Sequence, residues 1–159
     1  MTQTQLDQIR EIGRWAHAGQ VRDYTKLPYF DNHCIPVAGL AQDMIAEYEW
    51  AAHLDIFIVK AVCYLHDILE DTFISAETLR ALLYDILDDL DDVQTIMEAV
   101  MLLTKPTEPF KLIDEYLAPI KENPLARLIK LSDNFHNSSD LKDQKRLDKY
   151  ELIAYYLEN

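Results

Sequence analysis

Apolar residues recur at three- and four-residue spacings along almost the whole chain, and no convincing run of alternating strand residues lies between turn signals. That pattern predicts an all-α fold. A first helix is expected over roughly residues 3–18, stopped by Gly19, and residues 20–31 read as a loop holding Pro28, Tyr29 and Asp31. A second helix should start near His33, with Asn32 as its N-cap and Pro36 in its first turn, where a missing N–H costs little. Further helices fit roughly 54–71, 75–87, 89–103, 109–118, 124–137 and 142–157, the later breaks agreeing with Pro106, Pro109, Pro119 and Pro124. Ser75 is a suitable N-cap for the 75–87 helix. No repeat or Gly/Ser linker interrupts the pattern, so a single domain over 1–159 is expected.

Charge narrows the function classes. There are 15 Lys plus Arg against 28 Asp plus Glu, a net charge of −13, which argues against binding a nucleic acid polymer. A small phosphorylated ligand is still compatible, because a few local cations or a metal can hold it. Asp85, Asp88, Asp89, Asp91 and Asp92 form one acidic block, which reads as a solvated cap favourably placed at a helix N-terminus. No stretch reaches about 18 uninterrupted apolar residues, so no membrane span is expected. The opening MTQTQLDQIREIG lacks a basic run followed by an apolar one, so no signal peptide is expected either. Cys34 and Cys63 form no close pair and read as reduced, partly buried thiols, so a cytoplasmic protein is expected.

Three polar islands interrupt the apolar faces. In Ile56–Asp71 the first turn is apolar on every side, but His66, Asp67, Glu70 and Asp71 share an arc of about 140° at the far end. Crowded acids repel unless a cation or solvent relieves them, so this face suits either a metal or the wet end of an amphipathic helix. His33 shares a stripe with Val37, Leu40, Met44 and Tyr48, which points its ring toward the core as a hydrogen-bonded residue or as a ligand. Lys130, Asp133 and Asn137 stack along one face of the 124–137 helix, opposite Leu128, Leu131 and Phe135. They suit a surface ion pair, or a metal carboxylate beside a phosphate-binding group. Taken together, His33, His66, Asp67 and Asp133 offer two imidazoles and two carboxylates, a set that suits Mn²⁺, Fe²⁺ or Zn²⁺. The chain has no HExxH pair, no GxxxxGK[ST] loop and no GxSxG nucleophile motif. Metal-assisted hydrolysis is the chemistry these residues can support. His17, His53, His136, Tyr155 and Tyr156 read as packing residues, although His136 lies only about 60° around its helix from Asp133.

The adjacent His66-Asp67, with a histidine upstream and an aspartate downstream, resembles the HD superfamily of metal-dependent phosphohydrolases. Three longer strings narrow the likeness. AHAGQVRDYTKLPYFDNHCIPVA at 16–38, YLHDILEDT at 64–72 and NPLARLIKLSDNFHN at 123–137 are similar to the three signatures of RelA/SpoT-type alarmone hydrolase domains. Their order and separation agree over nearly the whole chain, which resembles a small stand-alone alarmone hydrolase. The resemblance implies one Mn²⁺ held by His33, His66, Asp67 and Asp133, with Glu70 and Asp71 orienting or activating the attacking water. It also implies a nucleotide pocket containing Arg22 and Asn137, with Lys130 and Lys105 as further candidates. The implied reaction removes the 3′-pyrophosphate of ppGpp or pppGpp, giving GDP or GTP and pyrophosphate.

Several positions depart from that pattern. Asp23 stands where a basic residue is usual. The segment from Tyr29 to His33 is one residue longer, and the usual loop glycine is missing. Asn134 replaces an arginine, and Ser138-Ser139-Asp140 follows Asn137. These changes are expected to touch mainly the substrate pocket, which leaves open another phosphorylated nucleotide, including NADPH or a free nucleotide. A non-catalytic module that senses nucleotide or metal is the alternative of a different class.

Overall fold

Helix ends are set by local hydrogen-bonding chemistry at several points in the chain. In the computed structural model, which describes residues 1–139 and 141–159, helix α1 spans Gln3–Ala16 and opens with a capping box between Thr2 and Gln5. A short turn, α2 (Tyr29–Asn32), leads into α3 (Cys34–Ile45). Asp55 caps α4 (Ile56–Leu65) by accepting from the N–H groups of Phe57 and Ile58. Then follow α5 (Ile68–Asp71), α6 (Ala76–Ile86) and α7 (Leu90–Leu103), the last two capped by Ser75 and Asp89. A π-helical segment at Leu112–Leu117 runs into α8 (Ala118–Glu122), followed by α9 (Pro124–Ser139) and α10 (Gln144–Glu158). Among the described residues the only β feature is an isolated bridge between Val21 and Pro28. The fold is all-α.

The centre is built from α3, α4 and α9, with α1 packed on α4, α10 on α9, and α7 against both α4 and α9. One apolar cluster runs from Leu6 to Leu157 and includes Val59, Val62, Leu65, Ile129 and Leu131, all fully buried. The near-continuous apolar character of α4 follows from having neighbours on several sides. No described helix is long and apolar enough to cross a membrane.

Three expectations from the sequence need correction. The 54–71 segment is not one helix: it breaks at His66-Asp67, where Asp67 has φ −101° and ψ 1°. Asn32 is not an N-cap but part of α2, its amide donating to the Pro28 carbonyl at 2.9 Å, and His33 takes the cap position of α3. Pro119 does not break the 109–118 segment; it falls in the first turn of α8, where proline fits. The 20–28 segment closes on itself through Arg22 N to Leu27 O and Tyr29 N to Gln20 O, both 2.9 Å. Lys26, at φ 58°, occupies the left-handed region that favours glycine. This closed turn is the platform for Arg22.

Candidate metal centre and adjoining cavity

His33 at the start of α3, the His66-Asp67 break between α4 and α5, and Asp133 on α9 converge at the centre of the molecule. One ligand atom from each lies within 4.8 Å of all the others. His33 Nε2 is 3.2 Å from His66 Nε2, 3.3 Å from Asp67 Oδ2 and 3.2 Å from Asp133 Oδ1; His66 Nε2 is 2.9 Å from Asp67 Oδ2. His66 and Asp67 stand side by side at the turn between α4 and α5, where Asp67 departs from helical backbone angles.

The donor set fits a divalent cation. His66 Nδ1 lies 2.8 Å from the Cys63 carbonyl, which can only accept, so the proton belongs on Nδ1 and Nε2 offers its lone pair. Two imidazole nitrogens and two carboxylate oxygens then face one point, a borderline N/O set for a first-row metal. Electrostatics point the same way. Burial alone would raise the Asp67 carboxyl, yet the His66 and His33 rings hold it well below the usual range. Asp133 is likewise held down, against burial, by Lys130 and the two rings. The two carboxylates in turn raise His66 well above its ordinary value despite its burial. A site that favours a proton on an imidazole this strongly also attracts a cation.

Other residues hydrogen-bond to these four side chains. Lys130 is buried, not part of a surface ion pair: its Nζ donates to Asp133 Oδ2 at 2.9 Å. Asn137 donates to Asp133 Oδ1 at 2.6 Å and accepts from Arg22 Nη1 at 3.3 Å. Arg22 Nη1 is also 2.7 Å from His33 Nδ1. Tyr29 donates its phenol proton to Asp67 Oδ2 at 2.5 Å.

Beside these groups lies a cavity of about 450 Å³, lined in part by Arg22, Tyr29, Asp71, Asn137, Arg146 and Tyr150. The Asp71 carboxyl, exposed at the rim of this cavity, is raised by desolvation and by its neighbours Asp67 and Glu70. Lys105 and Lys130 do not line this cavity; Lys105 instead pairs with Glu70 at 2.6 Å. Of the departures from the alarmone-hydrolase pattern, Asp23 lines the cavity. Asn134 does not: it faces α10, donating to the Tyr150 carbonyl at 2.6 Å. Asp140 lies outside the described residues.

Sequence reasoning gave no site role to Tyr29, Tyr24, Arg146 or Tyr150, all of which line the cavity. Arg146 donates to the Tyr24 hydroxyl at 3.2 Å, a contact between residues 122 apart in the chain, so no local spacing could reveal it. Tyr29, four residues before His33, was legible as part of the loop and of the first string, without a role at the site. His17 packs as expected, its ring 5.0 Å from that of Tyr29 and its Nδ1 2.6 Å from Gln20 Oε1. Tyr155 is exposed and Tyr156 takes the Lys121 ammonium over its ring, away from the cavity. The acidic block behaves as a solvated cap: Asp89 accepts from Asp91 N, and Asp92 meets the N-terminal ammonium at 3.2 Å.

Comparison with known proteins agrees with the geometry. The HD domain family model matches residues 30–138, a span holding all four converging side chains. Among solved structures, the fold is similar to that of a protein described as a metazoan ortholog of SpoT that hydrolyzes ppGpp and plays a role in starvation responses. The TM-score is 0.66 at 23% identity, over 99% of this chain and 85% of that one. No curated protein sequence matches the chain. A family match over more than half the chain, on an all-α fold that gathers its histidines and aspartates at one buried point, makes this protein a member of the HD domain family and a metal-dependent phosphohydrolase.

Proposed function

We propose that the protein hydrolyses the 3′-pyrophosphate of ppGpp or pppGpp, adding water across the ester bond to release GDP or GTP and pyrophosphate. Mn²⁺ is the proposed cofactor, with His33, His66, Asp67 and Asp133 as its ligands. The observation that carries this reading is the adjacency of the four-ligand cluster to a cavity holding Arg22 and Asn137. A divalent cation in such a site lowers the pKa of water and polarises a phosphoryl oxygen.

The chain's own residues then divide the work. Arg22 presents a planar, permanently charged fork suited to a phosphate or to stacking on a base. Asn137 orients both Arg22 and Asp133 through its side-chain amide. Asp71 borders the cavity with a raised carboxyl, and so can hold and pass a proton nearer neutrality than an ordinary aspartate. Glu70 is the second candidate for orienting or activating water, with Lys105 as its countercharge. Lys130 serves through Asp133, not through the cavity.

Asp23 on the cavity wall favours a second reading, in which the same apparatus acts on another phosphorylated nucleotide such as NADPH. A carboxylate there changes which anionic groups that wall accepts. Incubation with Mn²⁺ and ppGpp, followed by product analysis, separates the two. GDP and pyrophosphate formed by the parent but not by His66→Ala support the first reading. No turnover of ppGpp, with release of phosphate from NADPH, would establish the second.

A further inference from the structure

The two proposed metal-ligand histidines need opposite ends of their rings for different partners, and among the described residues only His66 has a backbone acceptor. His66 gives its Nδ1 proton to the Cys63 carbonyl, leaving Nε2 for a cation. His33 must do the same to ligate through Nε2, which means its Nδ1 must carry a proton and donate it. Among the described residues, two groups reach that nitrogen. Arg22 Nη1 lies at 2.7 Å, but a guanidinium carries donors only and cannot receive a proton. The other is His136 Nδ1 at 3.0 Å, from a half-buried ring whose centroid is 5.0 Å from that of His33.

We propose that His136 is a positioning residue of the metal centre, accepting the His33 Nδ1–H on its own Nδ1 and so fixing His33 in the tautomer that offers Nε2 to the cation. This rests on the ligand assignment proposed above. Arg22 and His136 compete for the same nitrogen. Donation from Arg22 suits the tautomer with its proton on Nε2, whereas His136 suits the one with its proton on Nδ1. The guanidinium and the cation therefore make opposing demands on one ring, and His136 favours the cation.

Mn²⁺ binding measured by calorimetry tests this without any substrate. His136→Phe keeps an aromatic ring but removes the acceptor, and its Mn²⁺ affinity should fall about 10- to 100-fold. His136→Asn can place its amide oxygen near the position of Nδ1 and should recover much of that loss. If His136 only packed α9, Phe would be the better replacement, so an Asn variant that binds no better than Phe overturns the inference. The parent protein gives an independent answer with Zn²⁺ as a diamagnetic probe. Ring ¹⁵N NMR should show His33 protonated at Nδ1 and His136 unprotonated there; the reverse assignment overturns the inference. A parent that binds neither metal would overturn the ligand assignment as well, whereas parental binding unaffected by His136→Phe overturns only the role of His136.

Discussion

Glu70 is held by Lys105: Nζ donates to Oε1 at 2.6 Å and the Lys105 backbone N–H donates to Oε2 at 3.2 Å. Both carboxylate oxygens are thus oriented without either being a metal ligand. Glu70→Gln should keep Mn²⁺ affinity while lowering kcat by about 10²–10⁴-fold, the range of a lost general base. Unchanged turnover would remove Glu70 from the mechanism. The buried charges also set a pH dependence. Asp67 and Asp133 have depressed carboxyls, so their contribution to stability is present above about pH 4 and is lost as pH falls through their lower folded values. His66 has the opposite sign: its contribution is complete below about pH 6.5 and is lost as pH rises through its raised folded value. In chelator, His66 should therefore make Tm fall on the alkaline side, and saturating Mn²⁺ should reverse that fall by replacing the proton. Calorimetry against pH checks both, and a Tm in chelator that rises throughout the alkaline range would contradict the assignment. At this scale the sequence identified all four converging residues. It did not reveal the burial of Lys130, because spacing along α9 is the same for a surface ion pair and a buried one.

At the scale of elements, the decisive feature is the break between α4 and α5. His66 and Asp67 are both compatible with a helix, so nothing local ends α4 there. The break accompanies tertiary contacts: the Tyr29 phenol on Asp67 and the two imidazoles around it. By contrast, the start of α6 was legible because Ser75 is a capping residue whose chemistry acts within a few residues, and the acidic block marked the start of α7, where Asp89 is the cap. The packing of α1 on α4 depends on Gly13, where a Cβ would collide with the Tyr64 carbonyl and lie 2.6 Å from the Phe30 ring. Gly13→Ala should cost about 1–3 kcal/mol, read as a lower Tm, because backbone and ring must both shift. Phe30 lies next to Tyr29 and three residues before His33, so the same variant should also weaken Mn²⁺ binding. A variant with unaltered Tm would show that the α1–α4 contact is looser than it looks.

At the scale of the whole molecule, the candidate ligands come from α3, the α4–α5 junction and α9, so a bound cation would cross-link elements far apart in sequence. Mn²⁺ should therefore raise the global Tm, with a gain of about 2.7 kcal/mol at a hundredfold excess over Kd. His66→Ala should abolish that shift, and thermal scans with graded Mn²⁺ provide the check. The net charge of −13 makes the local placement of Arg22 and Arg146 in the cavity more telling than any overall field, since long-range forces repel an anionic ligand. What the sequence determined by itself was the helical class, most helix positions and the candidate ligand set, because periodicity, capping and motif spacing are properties of short stretches. Only the tertiary structure decided that the 54–71 helix breaks, that Lys130 meets Asp133 and His136 meets His33, and that Arg146 and Tyr150 join Arg22 around one cavity. Those relations depend on distances between residues far apart in the chain, which packing sets and local spacing does not encode.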